Sequence, residues 1–118
     1  MTADTIVLGG IRALGVCGVL AEERHRPQPF EVDVELSVDL TRAGESDDLA
    51  DTVDYGRLVE RVAQIVETAG CRLLETLAAR IADDARADTR VERVVVTVRK
   101  LRPPVPVHVD HVAVRIER

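Results

Sequence analysis

The sequence predicts an α+β fold of order ββααββ, a four-stranded antiparallel sheet with two consecutive helices on one face. Strict alternation through Phe30 to Leu40, FEVDVELSVDL, marks a strand with one buried side. Two segments with apolar residues at spacings of three and four follow each other in the middle of the chain. Segments rich in Val, Leu and Ile flank them on both sides. Strands in adjacent pairs joined by short turns run antiparallel, and two successive amphipathic helices can cover only one sheet face.

The first strand region is Thr5 to Arg12, followed by Ala13 to Leu20, with glycines at 9, 10, 15 and 18. This pattern predicts a strand, a sharp bend or bulge, and a second pairing. In the second strand, Phe30, Val32, Val34, Leu36, Val38 and Leu40 share one face, and Glu31, Asp33, Glu35, Ser37 and Asp39 the other. The first helix runs from about Asp54, a capping residue, to Ala69, with Leu58, Val59, Val62, Ile65 and Val66 as its stripe. Gly70 supplies a stop, and the second helix runs from about Leu73 to Ala87 on Leu74, Leu77, Ala78, Ile81, Ala82 and Ala85. Glu92 to Lys100 and His111 to Glu117 complete the sheet, separated by a rigid turn at Pro103, Pro104 and Pro106. The charged outer row of the second strand predicts a wet second face, and the two sheet edges need protection.

At 118 residues the chain has the length of one domain, residues 1–118, with 46% hydrophobic and 31% charged residues. A net charge of -5, with no basic run or stripe, argues against nucleic acid as a partner. No apolar run approaches the roughly 18 residues of a membrane span, and the start MTADTIVLGG lacks a basic patch before an apolar stretch, so a cytoplasmic protein is expected. Cys17 and Cys71 show neither CxxC nor cysteine/histidine ligand spacing and read as reduced thiols. His108, Asp110 and His111 resemble metal ligands only superficially, because alternate strand residues share a side and 108 and 111 would diverge. No metal is expected.

Four places interrupt the apolar patterns at element ends, where rigid scaffolds present functional groups. Glu22-Glu23 precedes the long strand and on its own reads first as a solvated acidic loop. Asp47 to Tyr55 leads into the first helix; its acidic residues complement the helix dipole, and Tyr55, the one tyrosine, is either a packing residue or a functional one. Glu75 lies in the first turn of the second helix, a place that first of all suits a negative charge for structural reasons and that also keeps a carboxylate ionised as a ligand acceptor. Lys100 ends a Val-rich strand, where a lysine also serves as an edge gatekeeper.

Taken together these places resemble the dihydroneopterin aldolase family of folate biosynthesis. The resemblance rests on Gly18-Val19-Leu20-Ala21-Glu22-Glu23 with Gln28 and Phe30-Glu31-Val32-Asp33; on Ser46-Asp47-Asp48-Leu49 and Asp51-Thr52-Val53-Asp54-Tyr55; on Leu73-Leu74-Glu75; and on Thr97-Val98-Arg99-Lys100 before Pro103-Pro104-Val105-Pro106. It departs from the family pattern at Cys17, where many members have histidine, at Leu101-Arg102 after the lysine, and at Val107 in place of a frequent glycine.

The resemblance implies the tunnelling fold, in which sheets of neighbouring subunits join into a barrel and two rings stack into an octamer. It implies retro-aldol cleavage of 7,8-dihydroneopterin to glycolaldehyde and 6-hydroxymethyl-7,8-dihydropterin, without a cofactor. Lys100 and Tyr55 are the implied catalytic residues, and Glu23, Val53, Leu74 and Glu75 bind the pterin substrate. Glu23, Glu75 and Lys100 come from one subunit, and Tyr55 with the Val53 backbone from its neighbour. Arg102 and the altered turn leave room for epimerisation at C2′. A dihydroneopterin triphosphate epimerase and a non-catalytic pterin- or purine-binding subunit are the alternatives.

Overall fold

The computed structural model describes residues 2–118. Four strands form one antiparallel sheet in the order β1-β2-β3-β4: β1 is Thr5–Gly15, β2 Gln28–Ser37, β3 Arg93–Lys100 and β4 Val112–Glu117. Between β2 and β3 the chain forms a short helix α1 (Thr41–Ser46), then α2 (Tyr55–Thr68) and α3 (Leu74–Arg86). Helix α2 packs on β1, and α3 on β3 and β4, so both long helices lie on one face.

Alternation in β2 translates directly into burial: Phe30, Val32, Val34 and Leu36 are inaccessible to solvent. Their β3 partners Val94, Val96 and Val98 are equally buried, with Val32 opposite Val98 and Val34 opposite Val96. From the helices, Leu58, Val62 and Val66 of α2 and Leu77, Ala78, Ile81 and Ala82 of α3 close the core. Each large aliphatic side chain so buried contributes about 1.5–3 kcal/mol over its exposed state. Asp54 caps α2 by accepting the Arg57 N–H at 3.2 Å. Gly70, at φ 56, adopts the left-handed backbone that breaks the chain between the two helices, as its position predicts.

The first strand differs from its expected form. It is one continuous strand through Gly15, bulged at Gly9-Gly10, where the register with β2 shifts between Leu8 and Ile11. The bulge absorbs extra residues without ending the ladder, so pairing resumes from Ile11 opposite Val32 to Gly15 opposite Gln28. Ala13 to Leu20 is therefore not a second strand. Beyond Gly15 only Cys17 pairs, in an isolated parallel bridge to Cys71, and Ala21–Arg24 forms a turn of 3-10 helix. The long strand also stops at Ser37 rather than Leu40, because Val38 and Leu40 turn back onto the N-terminal segment: Val38 N–H donates to the Asp4 carbonyl and Leu40 N–H to the Asp4 carboxylate.

The opposite sheet face carries charge. Arg99 pairs with Asp33 at 2.8 Å and with Glu31 at 3.3 Å, and Glu31 also meets Arg12 at 3.0 Å. The Arg99 hydrogen bond holds the Asp33 carboxyl below its ordinary range against the opposing effect of burial, and Asp33 also accepts the Gly10 N–H at 2.8 Å, tying down the bulge. Within one chain β1 and β4 are free edges. Exposed apolar side chains include Val7 and Leu14 on β1 and Val112 on β4.

Candidate active site

The fold brings Glu23 and Lys100, far apart in sequence, into a buried ion pair. Lys100 Nζ donates to Glu23 Oε2 at 2.7 Å, with side-chain exposures of 11% and 4% respectively. Lys100 ends β3 opposite Phe30, and its neighbour Leu101 still donates its N–H to the Pro29 carbonyl, so the lysine is fixed by the last rungs of the ladder. Glu23 is delivered by the 3-10 turn. Its Oε1 accepts the Leu20 N–H at 3.3 Å, and Gln28 Nε2 approaches Oε2 at 3.4 Å.

Gly18 makes room for this carboxylate. A Cβ at residue 18 would lie 2.3 Å from Glu23 Cδ and 2.5 Å from its Cβ, so only glycine permits the packing. Burial raises the Glu23 pKa, but the Lys100 hydrogen bond, the Leu20 N–H, the Lys100 charge and Gln28 together outweigh it, leaving Glu23 below the usual carboxylate range. Glu23 is therefore a carboxylate at neutral pH, an acceptor for hydroxyl groups. An open cleft of about 480 Å³ runs past it, walled by Glu23, Gln28, His25, Arg26 and Arg102.

The other predicted residues stand apart from this pair. Among the described residues, no hydrogen bond or ion pair joins Glu75 or Tyr55 to Glu23 or Lys100. Glu75 is exposed in the first turn of α3, beside the buried Leu74. Tyr55 opens α2 and is 60% exposed, while Val53 just before it is buried. The acidic run ahead of Tyr55 builds its own scaffold: Asp48 accepts the Ala50 N–H at 3.0 Å, and Asp51 meets Ser46 Oγ at 2.7 Å and Arg42 at 3.0 Å. Most of these acids are structural, holding this segment and the start of α2 by hydrogen bonds and ion pairs rather than by charge in the first helical turn.

Two contacts escaped sequence reasoning. Gln28 was a landmark of the strand and proves to be a partner of Glu23. The segment Cys17-Gly18 is tied to the loop before α3 by the Gly18 N–H, which donates to the Cys71 carbonyl at 3.2 Å. That bond links the ground beneath Glu23 to the stretch leading into Leu74 and Glu75. The spacing from Gly18 to Glu23 was the available signal, but a close approach leaves no periodicity to detect. His108 and Asp110 meet at 3.3 Å with both side chains almost fully exposed, and among the described residues no group of three or more His, Cys, Asp or Glu could hold a metal ion. No helix of the described residues is long and apolar enough to cross a membrane.

Comparison with known proteins decides the family. The model of the FolB family, dihydroneopterin aldolase, matches residues 6–117. The chain belongs to the dihydroneopterin aldolase family. A dihydroneopterin aldolase of Staphylococcus epidermidis is 45% identical over 116 residues, covering 98% of this chain and 96% of the relative. Among solved aldolase structures, that of the E. coli dihydroneopterin aldolase in complex with neopterin superposes with a TM-score of 0.89 at 29% identity, covering 98% of both chains. A Burkholderia dihydroneopterin aldolase bound to guanine superposes with a TM-score of 0.78 at 27% identity, covering 98% of this chain and 89% of the other. The tunnelling-fold expectation for this aldolase-family chain is thereby met at the level of the subunit.

Proposed function

We propose that this aldolase-family chain cleaves 7,8-dihydroneopterin by a retro-aldol reaction, with Lys100 and Tyr55 moving protons and Glu23, Val53, Leu74 and Glu75 holding the substrate. The products are glycolaldehyde and 6-hydroxymethyl-7,8-dihydropterin, which places the enzyme among the aldehyde-lyases of folate biosynthesis. The observation that carries this reading is the buried Glu23–Lys100 ion pair, whose carboxylate partner lines an open cleft.

Cleavage requires loss of the 2′-hydroxyl proton, rupture of the C1′–C2′ bond and a sink for the electron pair left on C1′. The C=N system of the dihydropterin is that sink, so the chain's own task is to bind, orient and transfer protons. Glu23, ionised, accepts hydrogen bonds from the diol while keeping Lys100 in place. Lys100 relays the proton directly or through water, a contribution of about 10²–10⁴ in rate. Glu75 accepts the two adjacent N–H groups of the pterin's 2-amino and N3 edge, each charge-assisted bond contributing roughly 1.5–3 kcal/mol when buried. Guanine presents the same donor edge, and the Burkholderia relative was crystallised with it.

Tyr55 is exposed and makes no hydrogen bond among the described residues with its own chain's pair, which supports a shared site in which a neighbouring subunit supplies Tyr55 and the Val53 backbone. The free edges of β1 and β4 suit closure of the sheet across subunits, and an octamer of two stacked tetrameric rings in the cytoplasm completes the reading. Tyr55 returns the proton to C1′ of the enaminol. Reversal of the bond cleavage after the aldehyde turns over would epimerise C2′, so dihydromonapterin is a second product to assay.

Incubation with 7,8-dihydroneopterin, and separately with its triphosphate, followed by assay of glycolaldehyde tests the reading. Glycolaldehyde in stoichiometric balance with 6-hydroxymethyl-7,8-dihydropterin is expected from the unphosphorylated substrate. Its absence with both substrates would refute the cleavage reaction.

A further inference from the structure

We propose that Cys17 and Cys71 are a peroxide-oxidisable pair whose closure to a disulfide draws Glu23 away from Lys100. The two free thiols lie 54 positions apart in sequence, yet their sulfur atoms are 3.0 Å apart, with Cys71 donating to Cys17. A parallel backbone bridge joins the same two residues. Neighbouring strand backbones lie about 4.8 Å apart, inside the roughly 4.4–6.8 Å that a disulfide requires between Cα atoms. The sulfurs must still close by about 1 Å to reach a bond of about 2.05 Å, and that movement is shared between the two side chains and the backbone of Cys17 and Cys71. Apolar filling explains a buried cysteine, but it does not require two of them in backbone register and in mutual contact.

Access is unequal, and that sets the order of events. Cys17 is 1% exposed, whereas Cys71 is 8% exposed and lines a surface cleft of about 570 Å³ with Val19, Leu73 and Thr76. Burial and then the contact with Cys71 push the Cys17 thiol up to about 12, so Cys17 keeps its proton at neutral pH. Cys71 is therefore the attacking group. Its sulfur displaces water from hydrogen peroxide, breaking the O–O bond and giving a sulfenic acid. The Cys17 sulfur then attacks Cys71, the S–OH bond breaks, and the departing hydroxide takes the Cys17 proton as a second water. Two thiols are oxidised and one peroxide is reduced.

Closure reaches the site through Gly18. This residue follows Cys17 directly and lies so near Glu23 that a Cβ would collide with it. The charges of Lys100 and Glu23 also act on Cys17 with opposite sign, which places the thiol within range of the pair. A displacement on the order of 1 Å at a positioned catalytic group costs up to about a hundredfold in rate.

The test treats the reduced, full-length protein with hydrogen peroxide. Expected results are loss of both thiols, a decrease in intact mass of about 2 Da, and a fall in kcat of tenfold or more on the order expected for such a displacement, all reversed by dithiothreitol. Cys17→Ser should hold its kcat within about twofold under the same peroxide, since no disulfide can form. If that variant does not fold, Cys71→Ser serves in its place. An unchanged mass, an unchanged kcat in the oxidised protein, or equal loss in the serine variant overturns the proposal. The turnover readout rests on the proposed aldolase reaction, so hydrogen exchange of the Leu20 amide, which bonds Glu23, provides a second one. Faster Leu20 exchange after oxidation supports the displacement and unchanged exchange refutes it, even if the reduced protein releases no glycolaldehyde.

Discussion

Replacing Lys100 with alanine removes the cation that pairs with buried Glu23, and the structure sets the size of the effect. Glu23 would keep the Leu20 N–H at 3.3 Å and the long Gln28 contact at 3.4 Å, neither of which carries charge. Breaking a buried pair by deleting one partner costs about 3–5 kcal/mol, because an uncompensated charge is left behind. With an unfolding entropy of about 2.1 cal/mol/K per residue, a chain of this length gains or loses roughly 4 °C per kcal/mol, so Tm should fall by about 12–20 °C at pH 7. The sign of the pH dependence follows from Glu23. Its folded pKa is depressed in the parent protein, so its stabilisation is present above the unfolded value and is lost as pH falls through the folded value. In the variant burial acts without its counterweight, Glu23 takes up a proton more readily, and the buried charge disappears. The deficit should therefore be widest near neutrality and narrow towards pH 4. Thermal unfolding of both proteins at matched protomer concentration, from pH 7 to pH 4, measures the gap. A gap below about 1 kcal/mol at pH 7, or one that stays constant with pH, would refute the claim that the pair is buried and mutually dependent.

Gly18→Ala should destabilise the protein by about 1–3 kcal/mol and lower kcat, because the new methyl group overlaps Glu23 at its Cβ as well as its carboxyl end; wild-type kcat and stability would remove Gly18 from the site. Pterin titration should separate the remaining roles: Glu75→Ala raises Kd by roughly a hundredfold or more, as expected for two charge-assisted bonds, whereas Lys100→Ala abolishes turnover with little change in Kd. Equal loss of affinity in both variants would contradict the division of labour.

The sequence revealed most where a physical period was present. Strand β2 alternates without a fault from Phe30 to Ser37 and is buried on that pattern, and both long helices begin and end within a residue or so of the positions that their stripes, Asp54 and Gly70 mark. Periodicity failed where the chain follows its surroundings instead. The bulge in β1 was legible as glycines but not as a strand that continues, since pairing beyond Gly10 is decided by β2. Helix α1 has no apolar stripe and no buried residue, so nothing in its composition announces it. At the site, Glu23 and Lys100 were each ordinary in sequence. Their 2.7 Å contact depends on a 3-10 turn meeting the far end of β3, an event of tertiary structure. Cys17 and Cys71 were read as reduced thiols from their spacing alone, which could not reveal that they are adjacent.

Tyr55 has a consequence beyond its proposed role. The chain has one tyrosine and no tryptophan, and its single phenylalanine is completely buried. All ultraviolet emission excited near the tyrosine band therefore originates at one side chain, at the exposed mouth of α2. Under the proposed shared site, assembly with a neighbour, arrival of a pterin and departure of product would each alter that one environment. The protein thus contains its own site-specific optical label, and its native fluorescence can time these events without any attached dye.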